Sequence, residues 1–286
     1  MFVLDTLRQH PIALMVVMVL LGLIAGSFLN VVIHRLPRMM ESDWRLQCAE
    51  LAGATPPPAS RYDLWWPRSQ CPQCGRGIGA ADNIPIASYL LLHGRCRGCG
   101  APIPARYPIV EALAGIVAAV AVWRFGYGIT APAAAAMGWA LLALTFIDLD
   151  RQLLPDSITL PFLWAGLLLN LWGVFVPIED AVVGAMAGYL TLWTVYWLFK
   201  IATGKEGMGH GDFKLLAMLG AWLGWEQLPA IILLSSLVGA TVGIALMVFR
   251  GHRRQVPIPF GPYLAAAGFI ALIYGDELTE AYWRWL

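Results

Sequence analysis

Stretches of roughly 20 mostly apolar residues recur along this chain, the length a helix needs to cross the hydrocarbon core of a bilayer. They run approximately over residues 11–34, 107–125, 130–148, 157–176, 181–201, 212–224, 228–249 and 259–275. Composition agrees: 59% of the 286 residues are hydrophobic and only 13% charged, far from soluble averages. The expected fold class is therefore all-α and polytopic, with about eight transmembrane helices. The sixth stretch is short. Fused with the seventh, it lowers the count and moves the C-terminus to the other face.

Charge placement tests that count. With the N-terminus outside, all but three of the 19 Lys and Arg residues fall on the cytoplasmic side, the exceptions being Arg8, Arg124 and Arg284. Eight spans thus satisfy the positive-inside rule. The first apolar run is too long for a removable signal core and lacks a convincing cleavage site, so it reads as an anchor. Its Gly26-Ser27-Phe28-Leu29-Asn30 segment suits close helix packing, and Asn30 reads first as a hydrogen-bonding partner of a neighbouring helix and second as a substrate contact.

One sizeable polar region, residues 37–106, follows the first span (1–36) and holds all five cysteines. Prolines at 56–58 mark its first half as an irregular connection. Its second half carries two knuckles, Cys71-Pro72-Gln73-Cys74-Gly75 and Cys96-Arg97-Gly98-Cys99-Gly100. Each Cys-x-x-Cys turn aims two thiolates at one centre, and four sulfur ligands suit a tetrahedral, structural Zn2+. Disulfides are the competing reading, and cytoplasmic placement disfavours them. Cys48 is the odd thiol. A small cytoplasmic zinc-ribbon-like insertion after the first helix is the expectation, its folding coupled to the metal.

Two acids stand out at the ends of apolar runs. Asp148 lies in Phe146-Ile147-Asp148-Leu149-Asp150, and Asp212 in Gly209-His210-Gly211-Asp212-Phe213-Lys214. A carboxylate at membrane depth is expensive to desolvate and reads by default as functional. The charge model places both at cytoplasmic helix ends. Asp156 reads as an N-cap ahead of Ser157-Ile158-Thr159, and Asp150 points elsewhere, toward solvent or Arg151. Asp212 could itself be a cap. Glu111, just inside the second span, reads first as facing the positive end of its helix and second as a substrate group. His210 either lines the site or is an ordinary loop residue. The glycines at 204, 207, 209 and 211 lack the preceding strand and Gly-Lys-Ser/Thr ending of a phosphate loop.

Taken together, these pieces resemble the bacterial type IV prepilin peptidases, which are leader peptidases and N-methyltransferases and belong with the membrane aspartyl proteases bearing a Gly-x-Gly-Asp motif. The resemblance runs from Gly26-Ser27-Phe28-Leu29-Asn30 to Pro257-Ile258-Pro259-Phe260-Gly261-Pro262. It rests most on the two knuckles, Asn83-Ile84-Pro85, Arg106-Tyr107-Pro108, Asp148 to Asp156, and Gly209 to Lys214. It implies that Asp148 and Asp212 are the catalytic pair within a transmembrane peptidase core spanning 107–286. One carboxylate, charged, activates water; the other, protonated, polarises the scissile carbonyl.

The resemblance further implies a multi-pass protein of the bacterial inner membrane. Its substrates would be type IV prepilins and type II secretion pseudopilins, cleaved at the cytoplasmic face after a glycine and before a hydrophobic residue. The new amino terminus would then be methylated by S-adenosylmethionine. Gly94 and Arg95 match a Gly-basic position associated with methyl transfer, with Arg where some members have Lys; the glycine could equally shape the turn. Shorter relatives that only cleave lack the knuckles. The partners expected are prepilins and lipid, with no nucleic acid. The competing class is non-enzymatic: a zinc-ribbon membrane scaffold, or a transporter with intramembrane acids, for which no internal repeat is evident.

Overall fold

The computed structural model describes residues 8–54, 61–250 and 259–285. Each of the eight apolar stretches contains a helix. The helices are α1 Pro11–Leu51, α2 Ala87–Leu91, α3 Arg106–Phe125, α4 Thr130–Arg151, α5 Asp156–Asn170, α6 Ile178–Thr203, α7 His210–Leu223, α8 Leu228–Arg250 and α9 Gly261–Trp285. Among the described residues no strand forms, only two isolated antiparallel bridges, Gln70 with Gly77 and Arg95 with Pro102. The prolines at 56–58, Arg253, Arg254, Pro257 and Ile258 lie outside the described residues.

Among the described residues five helical segments are long and apolar enough to cross a membrane: Pro11–Leu51, Arg106–Phe125, Thr130–Arg151, Ile178–Thr203 and Trp225–Phe249. The other three fall short for separate reasons. α5 has 15 residues and α7 has 14, about 21–22 Å at ~1.5 Å per residue, below the ~30 Å of a hydrocarbon core. α9 is long enough, but its second half carries Asp276, Glu277, Glu280 and Arg284, and it kinks at Tyr274.

The chain divides into two compact units, Met1–Ala135 and Ala136–Leu286. In the first, α1 continues through Pro37 to Leu51, a 41-residue helix that outruns the predicted first span. Its buried stripe, Met18, Gly22, Gly26 and Asn30, repeats every fourth residue and packs against α3. A Cβ on Gly26 would stand 2.6 Å from Glu111 Cα, and one on Gly22 would stand 2.9 Å from Gly115 Cα. In lipid, where apolar burial drives little association, such backbone approach gains dispersion that larger residues would block. Asn30 Nδ2 donates to Tyr107 O at 3.1 Å, so the expected interhelical bond forms.

Glu111 does not serve the end of its own helix. Its Oε2 accepts the N–H of Ile86 at 2.7 Å. Ile86 has φ 59° and ψ −49°, and Ala87 N bonds Pro85 O at 2.5 Å, a strained three-residue turn. The buried carboxylate supplies the partner that holds this turn.

In the second unit α7 is the hub. Phe213, Leu215, Leu216, Met218, Leu219 and Ala221 are fully buried, which explains how so short an apolar helix persists: it is enclosed by protein rather than by lipid. Gly184 and Gly188 of α6 meet Gly220, Leu216 and Ala217 of α7, backbone against backbone. Gly166 of α5 accommodates Trp222, whose Nε1 donates to Phe162 O at 2.7 Å. Asn170, 1% exposed, donates to Ala221 O and Trp222 O and accepts from the N–H groups of Phe175 and Val176. It satisfies carbonyls that the end of α7 leaves unpaired.

Candidate active site and metal centre

Asp148 sits in the last turn of α4, which ends where Gln152 N bonds Asp148 O at 2.8 Å and Gln152 takes φ 53°. Asp212 sits in the first turn of α7, with Gly209 as the extended residue before the helix. The two carboxylates are 5% and 6% exposed and close enough to interact electrostatically. Among the described residues neither pairs with a Lys or Arg. Buried acids lacking a cation are costly, and the fold retains two of them within electrostatic reach of one another.

What positions them is main chain and one side chain. Gly261 N, at the start of α9, donates to Asp148 Oδ2 at 3.1 Å. A Cβ at Gly261 would stand 2.6 Å from that same oxygen and 3.1 Å from Leu154 Cδ2. A Cβ at Gly211 would stand 2.8 Å from Leu154 Cβ. Leu154 thus packs against both Gly211, beside Asp212, and Gly261, beside Asp148. Neither Gly261 nor Leu154 was singled out from sequence as a site residue. The available signal was Gly261-Pro262 opening a helix, where glycine permits close approach.

The neighbouring polar residues take other work. Asp156 is the first residue of α5 and makes no side-chain cap; its carboxylate instead takes Lys214 Nζ at 2.8 and 2.6 Å, tying α5 to α7. The expected N-cap is thereby corrected, because the α7 lysine offers a charged donor. Asp150 is exposed. His210 packs at a tilt against Tyr196 and Phe213, at 5.1 and 5.3 Å between ring centroids.

In the first unit the four knuckle sulfurs converge, all within 4.8 Å of one another, with Cys71 Sγ and Cys99 Sγ 3.8 Å apart. A disulfide needs sulfurs about 2.05 Å apart. A tetrahedral ion with metal–sulfur bonds of about 2.3 Å needs edges of roughly 3.8 Å. The cluster can therefore hold a metal ion. Each knuckle closes the same way: Gly75 N bonds Cys71 O and Cys71 N bonds Arg76 O, while Gly100 N bonds Cys96 O and Cys96 N bonds Ala101 O. Main-chain N–H groups of Cys99 and Gly98 hold the Cys96 thiol down to about 6, favouring thiolate. Cys48 is exposed and outside the cluster.

Gly94 and Arg95 lead into the second knuckle. Gly94 has φ +67°, and its carbonyl accepts Ile103 N at 2.7 Å; Arg95 bridges Pro102. Both contribute main-chain bonds to the turn.

Two family models match the chain: the bacterial peptidase A24 N-terminal domain over residues 20–125 and the type IV leader peptidase family over 135–244. A prepilin leader peptidase/N-methyltransferase of Pseudomonas aeruginosa is 52% identical over 98% of this chain and 97% of its own length. Its namesake from Aeromonas salmonicida is 58% identical over 92% and 91%, and that of Stutzerimonas stutzeri 51% over 97% and 96%. No solved structure matches the chain.

Proposed function

Since the chain belongs to the type IV leader peptidase family, we propose that it removes prepilin leader peptides with the Asp148–Asp212 pair and then methylates the freed amino terminus. The observation that carries the cleavage reading is the pair itself: two buried carboxylates from different helix ends, within electrostatic reach of one another and, among the described residues, without a cation. Two such groups at close quarters disfavour double ionisation and hold one proton between them. The charged carboxylate takes a proton from water as its oxygen attacks the scissile carbonyl. The protonated one hydrogen-bonds the carbonyl oxygen, and a proton then passes to the leaving amine. The Gly261 N–H occupies one oxygen of Asp148 and so fixes which oxygen faces the substrate.

In this reading prepilins, and pseudopilins with them, are presented at the cytoplasmic face of the inner membrane, a side supported by the distribution of Lys and Arg over the eight apolar stretches. The Cys71, Cys74, Cys96 and Cys99 cluster takes a structural Zn2+, which supplies folding free energy to residues 37–106 and leaves no open coordination position for chemistry. S-adenosylmethionine supplies the methyl group. A transporter or scaffold is not favoured, given relatives named as peptidase and methyltransferase over nearly the whole chain.

The test uses purified protein, a prepilin and S-adenosylmethionine, with products resolved by mass. Asp148→Asn and Asp212→Asn are each expected to lower the cleavage rate by on the order of 10³-fold or more while the protein stays folded and inserted. Robust cleavage by either purified variant would overturn the aspartyl mechanism.

A further inference from the structure

The aspartate pair leaves unexplained two motifs on which the family resemblance rests, Gly26 to Asn30 and Asn83 to Pro85. Both reach one cavity. It holds about 500 Å³ within the first unit, between α1 and the turn preceding the first knuckle, and its lining includes Ser27, Phe28, Trp65, Arg68 and Asn83. That volume is in the range of small-molecule sites, roughly 300–1,000 Å³.

The walls are built rather than incidental. Arg35, 8% exposed, donates to Asp63 O at 2.9 Å and Pro67 O at 2.6 Å, fastening the turn to α1. Asp63 Oδ1 in turn accepts the N–H groups of Trp65 and Trp66 at 2.8 and 2.6 Å. Trp65 is left 77% exposed, its ring tilted against Phe28 with centroids 5.9 Å apart. Ser27, next to Phe28 on α1, donates through Oγ to Asn83 Oδ1 at 3.5 Å and lies within reach of Glu111, the acid that holds the strained turn at Ile86.

We propose that this cavity is the methyl-donor site. The inference rests on the bifunctional reading above and adds where the donor binds. S-adenosylmethionine offers a flat purine, a sulfonium, ribose hydroxyls and a carboxylate. The Phe28–Trp65 pair offers aromatic faces to the purine and the sulfonium, Arg68 a guanidinium to the carboxylate, and Ser27 and Asn83 polar groups to the ribose. In the transfer itself, the lone pair of the neutral pilin amine attacks the sulfonium methyl carbon. The carbon–sulfur electron pair stays on sulfur, giving the thioether S-adenosylhomocysteine, and the methylated amine gives up a proton to water.

The experiment is calorimetric titration of S-adenosylhomocysteine into full-length, zinc-loaded protein in nanodiscs, with Trp65→Ala and Arg68→Ala beside the unaltered chain. Bound zinc per chain serves as the folding control. Each substitution is expected to raise Kd about tenfold or more, and a photoreactive azido analogue of the donor should label the peptide containing Trp65. Wild-type affinity in both variants, with labelling elsewhere, overturns the assignment. A raised KM for prepilin with an unchanged Kd gives the cavity to the apolar segment of the pilin instead. If the unaltered protein binds no S-adenosylhomocysteine and leaves cleaved pilin unmethylated, the methyltransferase reading falls together with the site; methylation that persists in both variants overturns the site alone.

Discussion

At the residue scale, Asp148 is held by an atom that no side chain provides. Gly261 N donates to Oδ2, and the space beside that oxygen is closed to a Cβ. Gly261→Ala should therefore displace the carboxylate by a few tenths of an ångström at least, since a contact of 2.6 Å cannot persist. The expected outcome is a fall in kcat for leader cleavage of about 10- to 100-fold with KM little changed, because positioning is lost while the binding surface remains. A KM effect alone would mean that Gly261 shapes the substrate groove rather than the acid. The two aspartates were legible in the sequence because a carboxylate at the end of an apolar run has few bland explanations. Gly261 and Leu154 were not. Their contribution is proximity across the fold, and a glycine or leucine in an apolar chain carries no local mark of what it touches. Asp156 shows the converse: a helix-start acid read as a cap was taken over by Lys214.

At the scale of elements, apolar runs located the helices, but their lengths followed from what surrounds each one. α7 is short because protein encloses it, and α1 is long because the helix continues past the end of its apolar run. Hydropathy reports the solvent a segment tolerates, not where its hydrogen bonding stops. The α6–α7 contact is the tightest test of the packing. Gly184 and Gly220 approach so closely that a side chain at either meets opposing backbone, which cannot give way as a rotamer can. Gly220→Val should cost several kcal/mol by forcing the helices apart. The expected readout is a large loss of folded protein on gel filtration in mild detergent, against a near-normal yield for Leu233→Ala, a change on the exposed face of α8. Normal yield and Tm for Gly220→Val would show that the two helices do not need this approach.

At the scale of the molecule, the two family models fall almost wholly within the two compact units, 20–125 within Met1–Ala135 and 135–244 within Ala136–Leu286. The metal cluster belongs to one and the acids to the other, so the two activities should be separable. Removing the metal with a chelator, or Cys96→Ser, is expected to expose residues 61–105 to rapid hydrogen exchange and to abolish methyl transfer on a precleaved pilin, because a segment this small cannot bury enough surface to fold alone. Exchange in the helices of Ala136–Leu286 should be unchanged. Normal methylation by metal-free protein would contradict it. The cysteine spacing and the positions of the acids marked the two centres in the sequence. The cavity beside Trp65 was not marked there, since it depends on Arg35 grasping two carbonyls from a distant turn.

The uninterrupted course of α1 carries one further consequence. A helix keeps phase: each residue added or removed turns whatever follows by about 100° and shifts it by about 1.5 Å. The stretch from Pro37 to Leu51 is thus a ruler graduated in angle as well as height. Insertions of three or four residues there should therefore disturb the zinc-bearing lobe less than insertions of one or two, as bound metal per chain would report.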